Sequence, residues 1–197
     1  MQGELFSRPL VFVDIETTGG SPQACRVLEL AALRVEAGRV VDYLDVLLDP
    51  GADVPWFITN LTGIKTEDTW GAPSFSQVAK RFLSLFSEGA VFIAHNVSFD
   101  YGFLQAEYNL LGERLHVPKA CTVQLSRTFY PEQRHHRLDA VIERHGIVVE
   151  DRHRALGDAQ ALVDFYGILC CEFGENAVAT AIMQQALRRP TSKRSLR

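Results

Sequence analysis

Five residues of this 197-residue chain have types and spacings that suggest shared chemistry: Asp14, Glu16, Asp100, His153 and Asp158. Asp14 and Glu16 close the apolar run that begins at Leu10. The two-residue period of a strand puts both on one face, at a sheet's edge. Carboxylates held that close repel each other unless a cation lies between them, and hard oxygen ligands suit Mg²⁺ or Mn²⁺. Asp100 follows a second apolar run, Val91 to Ala94, and closes the stretch His95-Asn-Val-Ser-Phe-Asp100. His153 and Asp158 stand five apart, about 140° around an ideal helix, so one helix cannot aim both at one site. His153 therefore belongs on a loop, with Asp158 in the early turns of the helix that follows. A histidine beside a fixed carboxylate is what a metal site with a separate general base requires. Taken singly, each has a plainer reading: a solvated acid pair, an acid complementing a helix dipole, a surface histidine.

The elements that must position these residues are readable in outline. Leu10 to Asp14 reads as a buried strand entering the turn Glu-Thr-Thr-Gly-Gly. Val27 to Val35 and Val40 to Leu48 read as a hairpin around Ala37-Gly38, closed by Asp49-Pro50-Gly51. From Ser74, a helix cap, Phe75, Val78, Phe82, Leu83 and Phe86 form a helical stripe. Val91 to Ala94 is a fourth strand. Helices are expected over about 98–111, 122–129, 138–145, 155–173 and 175–187. Three strands, a helix, a strand and several helices predict an α/β layered domain on a mixed sheet.

Composition narrows the class. With 47% hydrophobic and 22% charged residues the chain is globular, and its size allows a self-sufficient core. No apolar run approaches the roughly 18–20 residues that cross a bilayer, and none resembles a signal-peptide core, so a soluble protein without a membrane role is expected. Cys25, Cys121, Cys170 and Cys171 show no C-x-x-C spacing, which points to reduced thiols and a cytoplasmic location. Cys170 and Cys171 read as core and near-core residues. The net charge is −4, but residues 188–197 hold five basic groups and no acid, leaving −9 on residues 1–187. That balance argues against a broad nucleic-acid-binding surface unless several acids are metal ligands.

Together the motifs resemble the DEDDh family of 3′-to-5′ exonucleases, in particular its DnaQ-like group, which includes the proofreading subunit of bacterial DNA polymerase III. Phe12-Val-Asp14-Ile-Glu16-Thr-Thr-Gly19 is similar to the first motif, Ala94 to Asp100 to the second, and His153 to Asp158 to the third. Ile58 to Ile64 resembles the family's segment at the terminal nucleotide, and Arg137-Leu-Asp-Ala with His145-Gly-Ile147 its stretch before the third motif. The likeness spans about residues 8–172.

The resemblance implies an RNase H-like fold, a central five-stranded mixed sheet with helices on both faces. It implies two divalent metal ions, Mg²⁺ or Mn²⁺: Asp14, Glu16 and Asp158 at the first, Asp14 bridging to a second that Asp100 supports, and His153 deprotonating the attacking water. Such an arrangement suits a phosphodiester, whose negative charge repels hydroxide until cations neutralise it. Thr17 and Thr18 become candidate donors to the terminal nucleotide. Leu61 and Phe99 are candidates either to stack on bases or to pack in the core. Asn96 is a candidate phosphate contact or helix cap. Arg152 and Arg154 flank His153 as modulators of its charge, phosphate contacts or solvated groups. His95, His135 and His136 lack zinc-site spacing, and the last two read as solvated loop residues.

Residues 1–187 thus read as an exonuclease domain and 188–197 as a basic tail. The implied partners are nucleic-acid 3′ ends, single-stranded or frayed DNA first, and a DNA polymerase supplied by another chain. An exoribonuclease of the RNase T or oligoribonuclease type shares the same five residues, and only acceptance of a 2′-hydroxyl separates the two. A non-catalytic binding module would have no need of all five. The tail is expected to bind longer strands: each phosphate it neutralises adds about 0.7 to the salt slope, or at most about 3.5 for five contacts. Deleting 188–197 should therefore raise KM and flatten the salt dependence on a long oligomer while dinucleotide turnover stays constant. Identical salt slopes would refute the role.

Overall fold

The computed structural model describes residues 8–187. The basic tail at 188–197 lies outside them. Strand β1, Leu10–Thr17, pairs antiparallel with β2, Val27–Glu36, and β2 pairs antiparallel with β3, Arg39–Leu47. Helix α1, Trp56–Thr62, and helix α2, Phe75–Ser84, precede strand β4, Val91–Ala94. Then come α3, Ser98–Leu110, strand β5, Lys119–Cys121, and four helices: α4, Thr122–Phe129; α5, Leu138–His145; α6, Ala155–Phe173; and α7, Glu175–Ala186. The strand order is β3-β2-β1-β4-β5, with β4 parallel to both β1 and β5. The expected five-stranded mixed sheet is present.

Strand parity decides what lies on each face. Leu10 and Phe12 of β1 point with Ala31, Leu33 and Val35 of β2 into a core built with α4 to α7, where Phe165 and Leu169 are fully buried. Val11, Val13 and Ile15 point the other way, against Phe75, Phe82, Phe103 and Tyr108 from α2 and α3. Helices therefore cover both faces. By the same parity Asp14 and Glu16 lie on the α6 side. The outer strand β3 is largely exposed on its Val41 and Tyr43 positions.

The structure bears out the expected hairpin and corrects several other expectations. The β2–β3 hairpin turns on Ala37 and Gly38 at φ 46° and 73°, the left-handed pair a two-residue hairpin needs. Two elements went unread: α1 and the three-residue β5. Leu83 is exposed, because α2 buries Phe75, Ala79 and Phe82 and ends at Ser84. Cys171 is exposed rather than near-core, while Cys170 packs against the α6 side. His136 is bonded to the buried Ser126 hydroxyl at 2.8 Å and is not a solvated loop residue; His135 is exposed.

One buried carboxylate ties the site's elements together. Glu107 of α3, 4% exposed, accepts hydrogen bonds from Arg26 Nε and Nη2 at 2.8 Å each and from the Val27 amide at 3.2 Å. The start of β2 is thereby fixed to the helix that carries Asp100. Arg26→Ala leaves that carboxylate without its charged partner and should cost about 1–3 kcal/mol. Arg81→Ala, which breaks an exposed pair with Asp42, should cost under about 1 kcal/mol. Urea denaturation of both variants checks the contrast, and equal losses would contradict it.

Candidate active site

Asp14 and Glu16 stand at the end of β1, where the strand leaves its register with β2 at a bulge between Glu16 and Thr17. Asp158 faces them from the first turn of α6. It belongs to the helix's buried stripe, which runs through Ala155, Asp158, Ala159, Leu162, Phe165 and Leu169. One carboxylate oxygen from each of Asp14, Glu16 and Asp158 lies within 4.8 Å of the others. Among the described residues this is the one group of three potential ligands so placed. Asp100, 3% exposed, sits outside that trio in the first turn of α3, where the amide of Ile15, between Asp14 and Glu16, reaches its carboxylate.

Bringing four acids together shows in their proton affinities. Burial holds Asp14 well above the usual carboxylate range, and repulsion from Asp100, Asp158 and Glu16 adds to it. Glu16 is pushed up to about 8 by burial first, then by Asp158 and Glu29. Burial also drives Asp100 up to about 8, against the pull of its own amide and that of Ile15. Asp158 is raised by burial despite Arg152, whose guanidinium bridges Asp158 and Asp139. A hard cation relieves this strain through oxygen donors alone, so the donor set fits a divalent metal.

His153 is on the loop before α6, in a left-handed conformation at φ 61°. Both flanking arginines are engaged: Arg152 as above, and Arg154 with Glu29 of β2, so neither is a plain solvated charge. Glu29 escaped the sequence reading; its signal was an acid inside the otherwise apolar run Val27-Leu-Glu-Leu-Ala-Ala-Leu.

The candidate contacts around the site separate into two groups. Thr17 and Thr18 are buried in the turn: Thr17 Oγ1 donates to Gly19 O at 2.7 Å, and Thr18 Oγ1 accepts from the Arg26 amide at 2.9 Å. The Thr17 hydroxyl proton is thus committed to the turn and is not a free donor. An added Cβ at Gly19 would stand 2.7 Å from Cys25 Sγ, so a side chain there would require that thiol to move. Leu61 is half exposed on α1 and not part of the core, whereas Phe99 is half-buried with its ring 4.9 Å from that of Phe103. Asn96 is exposed at φ 62° and makes no side-chain cap to α3. Burial depresses His95 to about 4, so its ring, 2.8 Å from Thr122 Oγ1, is neutral at pH 7. A cleft of about 730 Å³ opens beside Asn96 and Ser98; it is lined by Lys119, Gln124 and Arg127 and holds none of the acids.

The chain matches the Exonuclease family model, of the RNase T type, over residues 11–166 and belongs to that family. Residues 12–19, 94–100 and 153–158, which carry the three motifs, all fall within the matched stretch. It is 35% identical over 161 residues to the PolC-type DNA polymerase III of Clostridium perfringens, covering 82% of this chain and 11% of that protein. With the PolC-type enzyme of Latilactobacillus sakei the identity is 39% over 158 residues, 80% of this chain and again 11% of the relative. The chain thus spans about a tenth of the length of these curated relatives. Among solved structures, E. coli Exonuclease I in complex with a dT13 oligonucleotide superposes with a TM-score of 0.74 at 19% identity, covering 83% of this chain and 41% of that one. The nuclease domain of 3′hExo, a DEDDh family member bound to rAMP, gives 0.74 at 17%, covering 86% and 94%. The fold is RNase H-like.

The raised acids set a pH dependence. Glu16 and Asp100 ionise near 4 in the unfolded chain but only near 8 when folded without metal. Their contribution to stability is therefore full below about 4 and is lost as pH rises through about 8. A cation binds the ionised form, so the rise in Tm on adding Mn²⁺ should be larger at pH 8.5 than at pH 6. Glu16→Gln should raise the Tm of the metal-free protein at pH 8.5, by about 2–4 °C for each kcal/mol of relief, and remove most of the Mn²⁺ effect. A Tm rise equal at both pH values would contradict the assignment.

Proposed function

We propose that this domain is a metal-dependent 3′-to-5′ exonuclease that removes nucleoside monophosphates from single-stranded or frayed DNA ends, in proofreading or repair. The observation that carries the reading is the convergence of Asp14, Glu16 and Asp158 from a strand end and a helix start, with Asp100 in the first turn of α3 and His153 on the loop before α6. Asp14, Glu16 and Asp158 would hold one divalent cation, and Asp14 with Asp100 a second, as Mg²⁺ or Mn²⁺. Bound there, the cations supply positive charge that neutralises the phosphodiester and acidifies the attacking water. His153 takes the proton from that water. Arg152, freed from Asp158 when the carboxylates are otherwise neutralised, remains anchored by Asp139. Leu61, exposed on α1, is the base-stacking contact; Phe99, Asn96 and Thr18 line the nucleotide's approach.

The polymerase relatives favour DNA as the substrate, a polymerase as partner and a cytoplasmic setting. No helix among the described residues is long and apolar enough to cross a membrane. The likeness to the nuclease domain of 3′hExo, bound to rAMP, keeps an exoribonuclease as the second reading.

Activity on 5′-labelled oligomers should require Mg²⁺ or Mn²⁺ and stop with chelator. Asp14→Asn and Asp158→Asn should each lose at least about 10³-fold, since each removes a charged ligand from a site built on charge. His153→Ala should lose about 10²–10⁴-fold and the rising pH limb with it. Matched DNA and RNA strands, single-stranded and with paired or mismatched 3′ ends, decide the substrate. Near-wild-type turnover of Asp14→Asn would dispose of the two-metal reading, and preferential cleavage of RNA would select the second one.

A further inference from the structure

We propose that Glu29 and Arg154 form a latch that positions His153 for proton transfer, acting through the loop and touching neither metal nor substrate. The proposal rests on His153 being the general base. Glu29 stands directly opposite Glu16 in the β1–β2 ladder and, by the parity of Ala31 and Leu33, faces α6. It is 3% exposed. Two like charges across a ladder repel, so a buried Glu at this register needs a partner of its own.

That partner is the loop. Arg154 Nε donates to both Glu29 oxygens at 3.0 and 3.1 Å, Nη2 donates to Oε1, and the Ala155 amide donates to Oε2 at 2.9 Å. Ala155 is the first residue of α6, so Glu29 satisfies an amide that has no partner within the helix. With both oxygens occupied, Glu29 is not available as a ligand beside Glu16. It fixes the two residues that immediately follow His153.

The residue before His153 is held from the other side. Arg152 bridges Asp139 of α5 and Asp158 of α6. Gly157 lets the loop close over the helix, since a Cβ there would stand 2.4 Å from Asp151 O. Between two anchored arginines, His153 keeps the left-handed backbone that an L side chain rarely adopts. Such a conformation persists where its surroundings determine it. Helix α6 has a separate anchorage: Ala155, Ala159, Leu162 and Phe165 are fully buried. Opening the latch should therefore release His153 and leave Asp158 in place.

The test uses Glu29→Gln, Arg154→Ala and Arg154→Lys in the full chain, each with His153 intact and in a His153→Ala background. Turnover and KM on a labelled oligomer are read together with the Tm rise on Mn²⁺ alone. With His153 present, Glu29→Gln and Arg154→Ala should lower kcat about 10- to 100-fold, the scale of a misplaced catalytic group, with KM within about two-fold. The Mn²⁺ effect should persist, and Arg154→Lys should recover part of kcat. In the His153→Ala background the latch variants should cost nothing further. Losses that multiply onto a crippled His153→Ala would overturn the latch alone, as would parallel loss of the Mn²⁺ effect and kcat. A silent His153→Ala would instead overturn the general-base reading, and the latch's purpose with it.

Discussion

Negative charge concentrated at the end of a central strand is the constraint on which the rest of this molecule depends. Asp14 and Glu16 occupy the exit of β1, half-buried where a strand packed by apolar side chains on both faces ends. Asp158 and Asp100 come in from helices on opposite sides of that strand. Burial and mutual repulsion raise their proton affinities together, which makes the cluster a poor fold element and a good cation trap. The cost is carried by a core of large side chains, Phe12, Phe82, Phe92, Phe103 and Phe165 among them, fully buried around it.

The surrounding ion pairs divide that charge into separate domains of influence. Glu107 takes Arg26, Glu29 takes Arg154, and Arg152 spans Asp139 and Asp158. Two of these pairs join elements distant in sequence, the start of β2 to α3 and β2 to the loop before α6, while the third ties the successive helices α5 and α6. Buried acids that are not meant to bind a cation are thus saturated with guanidinium and amide donors. Among the acids that converge, Asp158 alone of the trio keeps a guanidinium partner, Arg152. Saturation with donors distinguishes Glu29 from Glu16, although the two are cross-strand neighbours.

Much of this was open to inspection in the chain itself. The D-x-E pair at the end of an apolar strand, the acid after Val91 to Ala94, and the His153–Asp158 spacing placed every member of the cluster on its correct element. Helix α1 carried a readable signal in Pro55 before it and Gly63 after it, the latter at φ 77°, but its mixed surface hides the period. Strand β5 carried none, because three residues are too few for alternation and only pairing with β4 makes them a strand. The partner of the Thr18 hydroxyl was hidden for the same reason, since it is fixed by backbone that returns at Arg26.

The sequence by itself determined which residues carry charge, which strands and helices present them, and, by two-residue parity, that Asp14 and Glu16 share a face. Asp158 on an otherwise apolar helical stripe was likewise written in the local period. Only the tertiary structure decided which acids meet. Glu29 shares the face of Glu16 and the strand period cannot tell them apart; Arg154, 125 residues away, closes one and leaves the other open. Local periodicity reports the direction of a side chain, because it follows from backbone geometry. Partnership follows from which chain segments pack together, and that is set by the whole core.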